Sequence, residues 1–537
     1  MNADEPSAPP PENAHSLRHL LAQRNPFINA VELVNSRGVI TERGGSRVLE
    51  LATNLARHPD IHVLSITDNP GGNAVLSAET LGQKLQTLDQ EVIIHLSCKD
   101  WNRNGLQSKA WQLASQGFDN ILALSGDYPI DGFQGAAGGV FDIDSLGLLR
   151  MLADMNDGLE SVSPRGKISR MKKTGFVLGA AVNNFKPYER EVMPQYFKLA
   201  AKVGAGADFI INQIGYNARK MDELLRYMRL KQLQVPVLAN VYILSGPASR
   251  YFHSGRIPGV IVTDDLLALT DKHAASEDKG KSFFLEFAAK QCAVAKGLGY
   301  GGAYLGGHLT YEDFARVLEI QHQFGDSDWH DFAGEFAFDA PEEFYFFEPD
   351  TSSGLNTDEI NRTYAASKSR RGSRSIRWSV PLSYRLNRLV HALIFEPGAI
   401  AHRLGRKLYG AIERRKLTRL GKAMHALEQA AKVPAFDCRD CGDCSLPDIA
   451  YLCPESQCVK NQRNGPCGGT RFGKCEIGEK DCIWARAYDR LKPYGEEESM
   501  VERPVVFKNA VLKGTSAWGN AFLGRDHHAT PEKDETD

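Results

Sequence analysis

The chain has 537 residues, of which 42% are hydrophobic and 24% are charged, and its formal net charge is −2. This length exceeds what a single hydrophobic core usually supports, so we expect two or more domains. The small net charge gives no general attraction to nucleic acid, and no run of about eighteen apolar residues predicts a membrane span. We therefore expect a cytoplasmic protein with neither nucleic acid nor membrane as a partner, and homo-oligomerisation stays open.

The first residues, MNADEPSAPPPENAH, are acidic and rich in proline. They lack the basic start and the apolar centre of a secretory signal. We interpret residues 1–20 as a disordered tail.

Between residue 27 and about residue 310, short apolar runs alternate with amphipathic stretches. This alternation of strand and helix is typical of a parallel sheet covered by helices. The eight runs are residues 27–34, 61–67, 91–98, 120–126, 175–182, 208–215, 235–244 and 301–307. Eight repeats predict an α/β fold of the closed (β/α)8 TIM barrel type over residues 21–325, with an open doubly wound sheet as the alternative.

Polar residues stand in or just after several of these strands. They are Glu32, Thr67, His95, Asp127 and Gln213. Each alone has an ordinary interpretation as a turn residue or a hydrogen-bonded core group. Barrel active sites lie at the carboxyl ends of the strands, so together these residues predict a site there. Burial of Glu32 in an apolar strand should raise its pKa, which suits a proton donor.

The sequences of these strands resemble those of a known family. The stretches AVELV, VLSIT, IIHLSCKDWNRNGL, NILALSGDYP and FIINQIGYNARKM, in this order, resemble the catalytic barrel of the methylenetetrahydrofolate reductase family over residues 25–320. The resemblance implies an oxidoreductase of one-carbon metabolism that binds FAD noncovalently at the strand ends. It implies reduction of methylenetetrahydrofolate to methyltetrahydrofolate, with hydride passing from NAD(P)H through the flavin.

The resemblance also implies roles for single residues. Glu32 matches the general acid, Asp127 the carboxylate beside flavin and folate, and Gln213 the residue that binds the pterin. The flavin-contacting positions are matched by Thr67, His95, Gly126, Asp127 and Lys202, with Lys198 as a further candidate.

The chain departs from the family pattern at several positions. Ser125 replaces an arginine expected near the FAD phosphates, and Lys198 or Lys202 could supply the missing cation. Asp68 replaces a tyrosine, and the loops after the fifth and seventh strands lack the family's aromatic residues. Two alternatives therefore stay open: a folate-linked flavoprotein that takes electrons from a redox protein donor, and a noncatalytic folate-binding or scaffold protein.

Beyond the barrel we predict a linker over residues 326–378, a helical and cysteine-rich domain over residues 379–500, and a C-terminal tail over residues 501–537. Residues 383–432 are helical in pattern and basic. Such helices can bind membranes or nucleic acid, but a solvated face beside an acidic domain is more common.

Eight of the ten cysteines lie in about sixty residues near the C-terminus. They are Cys438, Cys441, Cys444, Cys453, Cys458, Cys467, Cys475 and Cys482. The Cys-x-x-Cys-x-x-Cys spacing predicts an iron–sulfur cluster with a distant fourth ligand, for which Cys453 is the candidate. The other four could bind a second cluster or zinc. Residues 380–495 resemble the C-terminal domain of some bacterial members of the family, and the metal could carry electrons or only stabilise the fold.

Overall fold

The computed structural model describes residues 15–23, 26–163, 165–370 and 379–529. Eight parallel strands form a closed barrel in the order β1-β10-β9-β8-β7-β4-β3-β2. The predicted (β/α)8 barrel is confirmed, and the open sheet is excluded. The barrel strands are β1 (Ile28–Leu33), β2 (Val63–Ile66), β3 (Glu91–Ser97), β4 (Asn120–Leu124), β7 (Val177–Val182), β8 (Phe209–Asn212), β9 (Val237–Tyr242) and β10 (Gly302–Gly306).

Helices cover the outside of the barrel and build most of the C-terminal region. Those around the barrel are α1 (Leu17–Gln23), α2 (Arg43–Ala56), α3 (Ala78–Gln86), α4 (Arg103–Ser115), α5 (Ser145–Asp157), α6 (Glu189–Gly204), α7 (Ala218–Leu230), α8 (Gly246–His253), α9 (Asp264–Ala274), α10 (Lys281–Leu298) and α11 (Tyr311–Gln321). A small antiparallel hairpin, β5 (Glu160–Val162) and β6 (Ile168–Arg170), is inserted between α5 and β7.

Two hydrophobic clusters result from the period-2 alternation of the strands. The larger lies between the sheet and its helices, and the smaller fills the barrel interior. Interior members include Ala30 of β1, Val63 of β2 and Ile93 of β3. The residue two positions further along each strand points the same way, toward the carboxyl end of the barrel.

Helix α1 corrects the predicted N-terminal tail. Leu17, Leu20 and Leu21 are buried and belong to the interior cluster of the barrel. The predicted tail of residues 1–20 therefore overlaps an ordered element, while residues 1–14 lie outside the described part of the chain. The three leucines at helical spacing do not stand out in the sequence, because the preceding proline-rich stretch dominates the local composition.

The predicted linker is also ordered over most of its length. It contains α12 (Trp329–Glu335), a hairpin of β11 (Phe347–Pro349) and β12 (Asn356–Ile360), and α13 (Arg362–Arg370). Phe346 and Phe347 are buried in the outer cluster of the barrel. Asn217 at the start of α7 donates a 2.7 Å hydrogen bond to the Tyr345 hydroxyl. These contacts attach the segment to the barrel, and residues 371–378 of the predicted linker lie outside the described residues.

The C-terminal region begins with three helices and continues through a cysteine-rich segment of irregular backbone. Its helices are α14 (Leu382–Ile394), α15 (Ile400–Arg414), α16 (Thr418–Phe436), α17 (Pro454–Gln457), α18 (Ile483–Leu491) and α19 (Ala517–Phe522). Part of the predicted tail is thus packed, because Phe522 stacks on Phe395 with ring centroids 5.2 Å apart. No helix among the described residues has the length and apolar character needed to span a membrane.

Candidate functional site at the barrel mouth and the cysteine groups

Four polar side chains form a hydrogen-bonded network above the apolar interior of the barrel. Glu32, Ser65 and His95 each follow an interior residue by two positions, and Tyr304 stands on β10. The Tyr304 hydroxyl donates to Glu32 Oε2 at 2.9 Å. It also lies 3.0 Å from Ser65 Oγ and 3.1 Å from His95 Nε2, and Ser65 Oγ lies 2.9 Å from that same nitrogen. We call these four residues the polar network.

Glu32 has the electrostatic setting expected of a proton donor. Burial raises the pKa of Glu32, the Tyr304 hydrogen bond lowers it, and the negative charge of Asp127 raises it. Burial is the largest of the three effects, so the pKa of the carboxyl lies above its ordinary value. Glu32 stands near the carboxyl end of β1 and Asp127 just after β4, so both residues lie at the same rim of the parallel barrel.

His95 and Thr67, two of the predicted flavin contacts, are both buried. Burial lowers the pKa of His95 to about 3, so its imidazole is neutral near pH 7. Thr67 is buried and donates from Oγ1 to the carbonyl oxygen of Leu33 at 3.2 Å. His95 belongs to the polar network, and Thr67 follows Ser65 by two positions, toward the mouth of the barrel.

Asp127 and Gln213 lie at the rim itself and are partly exposed. Asp127 Oδ2 accepts a 2.8 Å hydrogen bond from the Gly71 amide in the loop after β2. Gln213 directly follows β8, and its Oε1 accepts from the Ile214 amide at 2.9 Å. The Gln213 side-chain NH2 group has no hydrogen-bond partner recorded among the described residues. The rim thus presents the Asp127 carboxylate and the Gln213 amide together with the Glu32 carboxyl, whose pKa is raised.

Residues 460–470, which we call the bridging segment, cover the rim above β4. The Lys460 ammonium donates to the carbonyl oxygen of Gly126 at 2.8 Å. The Ser125 hydroxyl donates to Gln462 Oε1 at 3.2 Å. Gly126 has a positive φ of 82°, and a Cβ atom there would lie 2.9 Å from Lys99 Cδ. The Ser125 position therefore faces protein, and an arginine there would have to displace the bridging segment.

Two lysines predicted to contact a flavin are bound to protein oxygens. The Lys198 ammonium donates to the carbonyl oxygens of Gly465 at 3.1 Å and Pro466 at 3.0 Å. Lys202 donates to the carbonyl oxygen of Ala181 at 2.5 Å, and its burial, reinforced by the charge of Lys198, lowers the pKa of Lys202 to about 7. The structure gathers Glu32, Asp127 and Gln213 at the mouth, whereas Lys198 binds the bridging segment and Lys202 binds β7.

The eight clustered cysteines divide into two groups in space. Cys438, Cys441, Cys444 and Cys453 line one small cavity and form the first cysteine group. Burial raises the pKa of the Cys444 thiol to about 12. Polar hydrogens point at its sulfurs: the Lys432 ammonium lies 3.6 Å from Cys444 Sγ, and the Asp440 amide 3.5 Å from Cys438 Sγ. Such donors stabilise thiolate sulfur that ligates a metal.

The second cysteine group consists of Cys458, Cys467, Cys475 and Cys482. Burial raises the pKa of the Cys458 and Cys482 thiols. The charges of Cys467 and Cys475 raise the pKa of Cys458 further, and those of Cys467 and Cys458 raise the pKa of Cys482 further. The Gln462 and Gly469 amides each lie 3.5 Å from a sulfur of this group. Because Cys467 belongs to the bridging segment, this group borders the barrel, and Lys186 at the end of the loop after β7 contacts the Thr470 carbonyl.

The spacing of the sulfurs bears on which metal they could bind. In a tetrahedral zinc site with Zn–S bonds of about 2.3 Å, sulfur atoms lie only ~3.8 Å apart. Across all the residues that the structure describes, the one set of three or more metal-binding side chains with ligand atoms within 4.8 Å of each other contains no cysteine. Four thiolates can hold either a zinc ion or an iron–sulfur cluster, so each cysteine group suits both.

Several residues of this site were not predicted from the sequence. Ser65 and Tyr304 complete the polar network, and Lys460 and Gln462 join the cysteine segment to the rim. Strand alternation could have identified Ser65 and Tyr304, because both share the inward parity of their strands. Nothing local distinguishes Lys460 or Gln462, whose partners are more than 330 positions away in the chain.

Comparison with known families and structures gives two family matches. Residues 39–297 match the model described as "Methylenetetrahydrofolate reductase", and residues 417–510 match "Methylene-tetrahydrofolate reductase C terminal". No curated protein matches the chain.

Solved structures that resemble the chain share little sequence with it. One is an uncharacterized protein from Clostridium thermocellum that binds two copies of 5-methyl-5,6,7,8-tetrahydrofolic acid, with a TM-score of 0.40, 12% identity and coverage of 57% of this chain and 98% of that one. Another is 2,3-dimethylmalate lyase, of the PEP mutase/isocitrate lyase superfamily, with a TM-score of 0.32, 13% identity and coverage of 57% and 81%.

Proposed function

The chain belongs to the methylenetetrahydrofolate reductase family through its barrel and its C-terminal domain, and from this premise we propose that it reduces methylenetetrahydrofolate to methyltetrahydrofolate. The observation that carries the proposal is the half-buried Glu32 carboxyl, which accepts the 2.9 Å hydrogen bond of Tyr304 on the same rim as Asp127 and whose pKa is raised. A carboxyl whose pKa is raised holds its proton to higher pH than an ordinary glutamate, which suits a general acid.

Glu32 has a defined task in this reaction. It donates its proton to the folate ring nitrogen that leaves, so the five-membered ring opens and the methylene carbon becomes an iminium. Addition of one hydride to that carbon then gives the methyl group, and the proton and hydride balance the reaction. Tyr304 holds the Glu32 carboxyl through the 2.9 Å hydrogen bond, and the Gln213 amide would orient the pterin.

FAD is the cofactor that the family implies, and the residues at the mouth suit one part of it. Asp127 would lie beside the ring system, because its carboxylate stands on the same rim as Glu32 and is held there by the Gly71 amide. The phosphates would need cations other than Lys198 and Lys202, whose ammonium groups bind protein carbonyls. When bound, FAD supplies the hydride that originates from NAD(P)H.

The test is the substitution Glu32→Gln, which keeps the shape of the side chain and removes its acidic proton. We expect FAD content to stay unchanged while folate reduction falls by about 10²–10⁴-fold, the usual contribution of a general acid. The exposed Glu50 on α2 gives the matched control Glu50→Gln, which should behave as the wild type. Full folate turnover in Glu32→Gln would refute the assignment.

A second candidate differs only in the electron source. The second cysteine group borders the rim through Lys460 and Gln462, which favours electron entry from a protein donor through an iron–sulfur cluster. Anaerobic mixing of the purified holoenzyme with NADH or with reduced ferredoxin separates the two routes. Flavin bleaching by NADH supports the nicotinamide route, and bleaching by ferredoxin alone supports the protein donor. If no flavin spectrum survives purification and FAD addition, the chain is a noncatalytic folate-binding protein.

A further inference from the structure

A set of histidine and aspartate side chains outside the barrel and the cysteine groups converges on one point near the C-terminus. His527 Nε2 lies 2.7 Å from Asp448 Oδ2, and His528 Nε2 lies 2.9 Å from Asp448 Oδ1. These three ligand atoms lie within 4.8 Å of one another. Asp448 is fully buried, whereas His528 is partly open to solvent.

The outer nitrogen of each histidine also has a carboxylate partner. His527 Nδ1 lies 2.5 Å from Asp443 Oδ1, and His528 Nδ1 lies 3.6 Å from Asp526 Oδ2. Histidines that bind a metal through one ring nitrogen commonly present the other to a carboxylate, which fixes the ring and its tautomer. Here two such carboxylate–histidine pairs direct Nε2 at the same aspartate.

From this geometry we propose that Asp448, His527 and His528 bind a divalent transition-metal ion. Two imidazoles and one carboxylate are a donor set for zinc or ferrous iron, and the exposed side of His528 leaves room for a water ligand. Arg503 contacts Asp448 Oδ1, so Oδ2 is the oxygen left for the ion. Asp443 lies between Cys441 and Cys444, and the ion would fasten residues 526–528 onto the first cysteine group.

Zinc uptake tests the proposal on the full-length protein. Wild type, His528→Gln and His425→Gln are incubated anaerobically with zinc chloride, desalted and analysed for zinc and iron by mass spectrometry. His425 is the matched control, because its Nε2 lies 2.9 Å from Asp440 Oδ1 without belonging to the three-residue set.

We expect the wild type and His425→Gln to retain about one more zinc ion per chain than His528→Gln. Equal zinc in the wild type and His528→Gln would overturn the proposal and leave an ion-pair network only. Iron content and the circular dichroism spectrum are measured on the same samples, so that a variant that fails to fold is recognised. If His528→Gln fails to fold, His527→Gln is tested instead, and its zinc content is compared with that of the wild type in the same way.

An independent observation concerns α14 and α15, whose outer faces are aliphatic and exposed. Leu382, Leu386, Leu389 and Leu393 share one face of α14 at spacings of four, three and four residues, and Ile400, Leu404 and Leu408 share one face of α15. Ile400 is 72% exposed, and Leu382 and Leu404 are each 61% exposed. The opposite faces pack inward through Tyr384 and Tyr409. We call these seven side chains the leucine face.

The charge beside the leucine face is strongly positive. Residues 382–422 contain ten lysines and arginines and two glutamates, a net charge of +8 in a chain whose net charge is −2. Arg403, Lys407 and Arg414 are exposed on α15, next to its aliphatic stripe. A second copy of the chain would bring two such surfaces together and be repelled, so the occupant should be negatively charged.

We infer that the leucine face docks on an anionic membrane surface, with α14 and α15 lying in its plane. Amphipathic helices with leucine on one side and lysine or arginine beside it bind in this way, by apolar burial combined with attraction to acidic lipids. This inference differs from the predictions of a solvated basic face packed beside an acidic domain and of no membrane as a partner.

Vesicle sedimentation tests this inference. The full-length protein is mixed with vesicles of phosphatidylcholine alone and with vesicles that also contain phosphatidylserine. We expect binding only to the second, weakened by salt and lost in the double variant Leu404→Glu, Leu408→Glu. The control is Leu230→Glu, which alters an exposed leucine on the barrel helix α7.

Absence of binding to the acidic vesicles, or equal binding by the double variant, would overturn the inference. A wild-type dimer in solution that the double variant dissociates would also overturn it, because a second copy would then cover the leucine face. Folate reduction by the double variant should equal that of the wild type, since α14 and α15 do not contribute to the polar network.

Discussion

Two neighbours act on the Glu32 carboxyl in opposite directions, and this makes its role testable residue by residue. The charge of Asp127 raises the pKa of Glu32, while the hydrogen bond from Tyr304 lowers it. The proposed function requires the protonated carboxyl, so activity should fall as pH rises through the pKa of Glu32. Substitution of either neighbour should therefore shift the pH at which activity declines, which is the alkaline limb of the pH profile, while Glu32 itself is kept.

Asp127→Asn removes the negative charge and keeps the size of the side chain. The pKa of Glu32 should then fall, and the alkaline decline of kcat/KM for folate reduction should begin at a lower pH. A pH profile of the purified variant measures this. An unchanged limb, with folate binding intact, would show that Asp127 does not act on the proton donor.

Tyr304→Phe removes the hydrogen bond to Glu32 and should shift the alkaline limb to higher pH, opposite to Asp127→Asn. The hydroxyl also contacts Ser65 Oγ and His95 Nε2, so its removal leaves buried partners unsatisfied and should cost about 1–3 kcal/mol of stability. The pH profile and a urea unfolding curve are measured on the same protein. A shift to lower pH would contradict the arrangement of the polar network.

At the scale of single elements, α1 closes the amino-terminal end of the barrel. Its leucines fill the interior below the polar network, where open strand ends would otherwise expose apolar side chains. Burial of these side chains stabilises the barrel by removing apolar surface from water. The helix is therefore part of the barrel and sets the floor beneath the site.

Leu17→Ala should weaken the fold, because Leu17 is fully buried. Removal of its side chain should lower the free energy of unfolding by about 2–5 kcal/mol, as for other buried leucines. Denaturant unfolding checks this. His19→Ala, on the partly exposed side of α1, is the control and should change the free energy of unfolding by less than about 0.5 kcal/mol. Equal effects of both substitutions would contradict the packing of α1.

The bridging segment is the element that explains the departure at Ser125. A serine is small enough for Gln462 to reach the rim, and Lys198 satisfies the carbonyls of the turn that follows. Gly465 has a positive φ of 103°, and a Cβ atom there would approach Lys198 Cδ to 2.8 Å. The rim position and the cysteine segment therefore depend on each other.

At the scale of the whole molecule, the two cysteine groups differ in how directly they contact the barrel. The second group shares the bridging segment with the rim, whereas the first is bounded by α16 and the C-terminal residues. We propose iron–sulfur clusters in both. The second is then suited to electron transfer, and the first to holding a region with little regular structure.

Single cysteine substitutions should separate the two groups. Cys441→Ser should lose the iron of the first group, about four atoms for a cubane cluster, and Cys467→Ser the iron of the second. Cys292→Ala, outside both groups, is the control and should keep all of the iron. Iron and acid-labile sulfide are measured on anaerobically purified protein. Zinc in place of iron would contradict the cluster assignment.

Much of the fold was determined by the sequence alone. All eight predicted apolar runs became barrel strands, because a strand buried on both faces must be apolar along its whole length. Glu32 was identifiable for the same reason: a carboxyl inside such a strand cannot avoid burial, and burial raises its pKa. The Cys-x-x-Cys-x-x-Cys spacing predicted the members of the first cysteine group.

Only the tertiary structure decided what surrounds these residues. Lys198 binds the bridging segment, Tyr304 reaches Glu32 across 272 positions of the chain, and α1 closes the barrel. Local sequence encodes the periodicity and burial of a strand or helix. Contacts between residues that are distant in the chain form only when the barrel closes and the C-terminal region docks on it. Both depend on shape and on the satisfaction of buried polar groups, which no short stretch of sequence specifies.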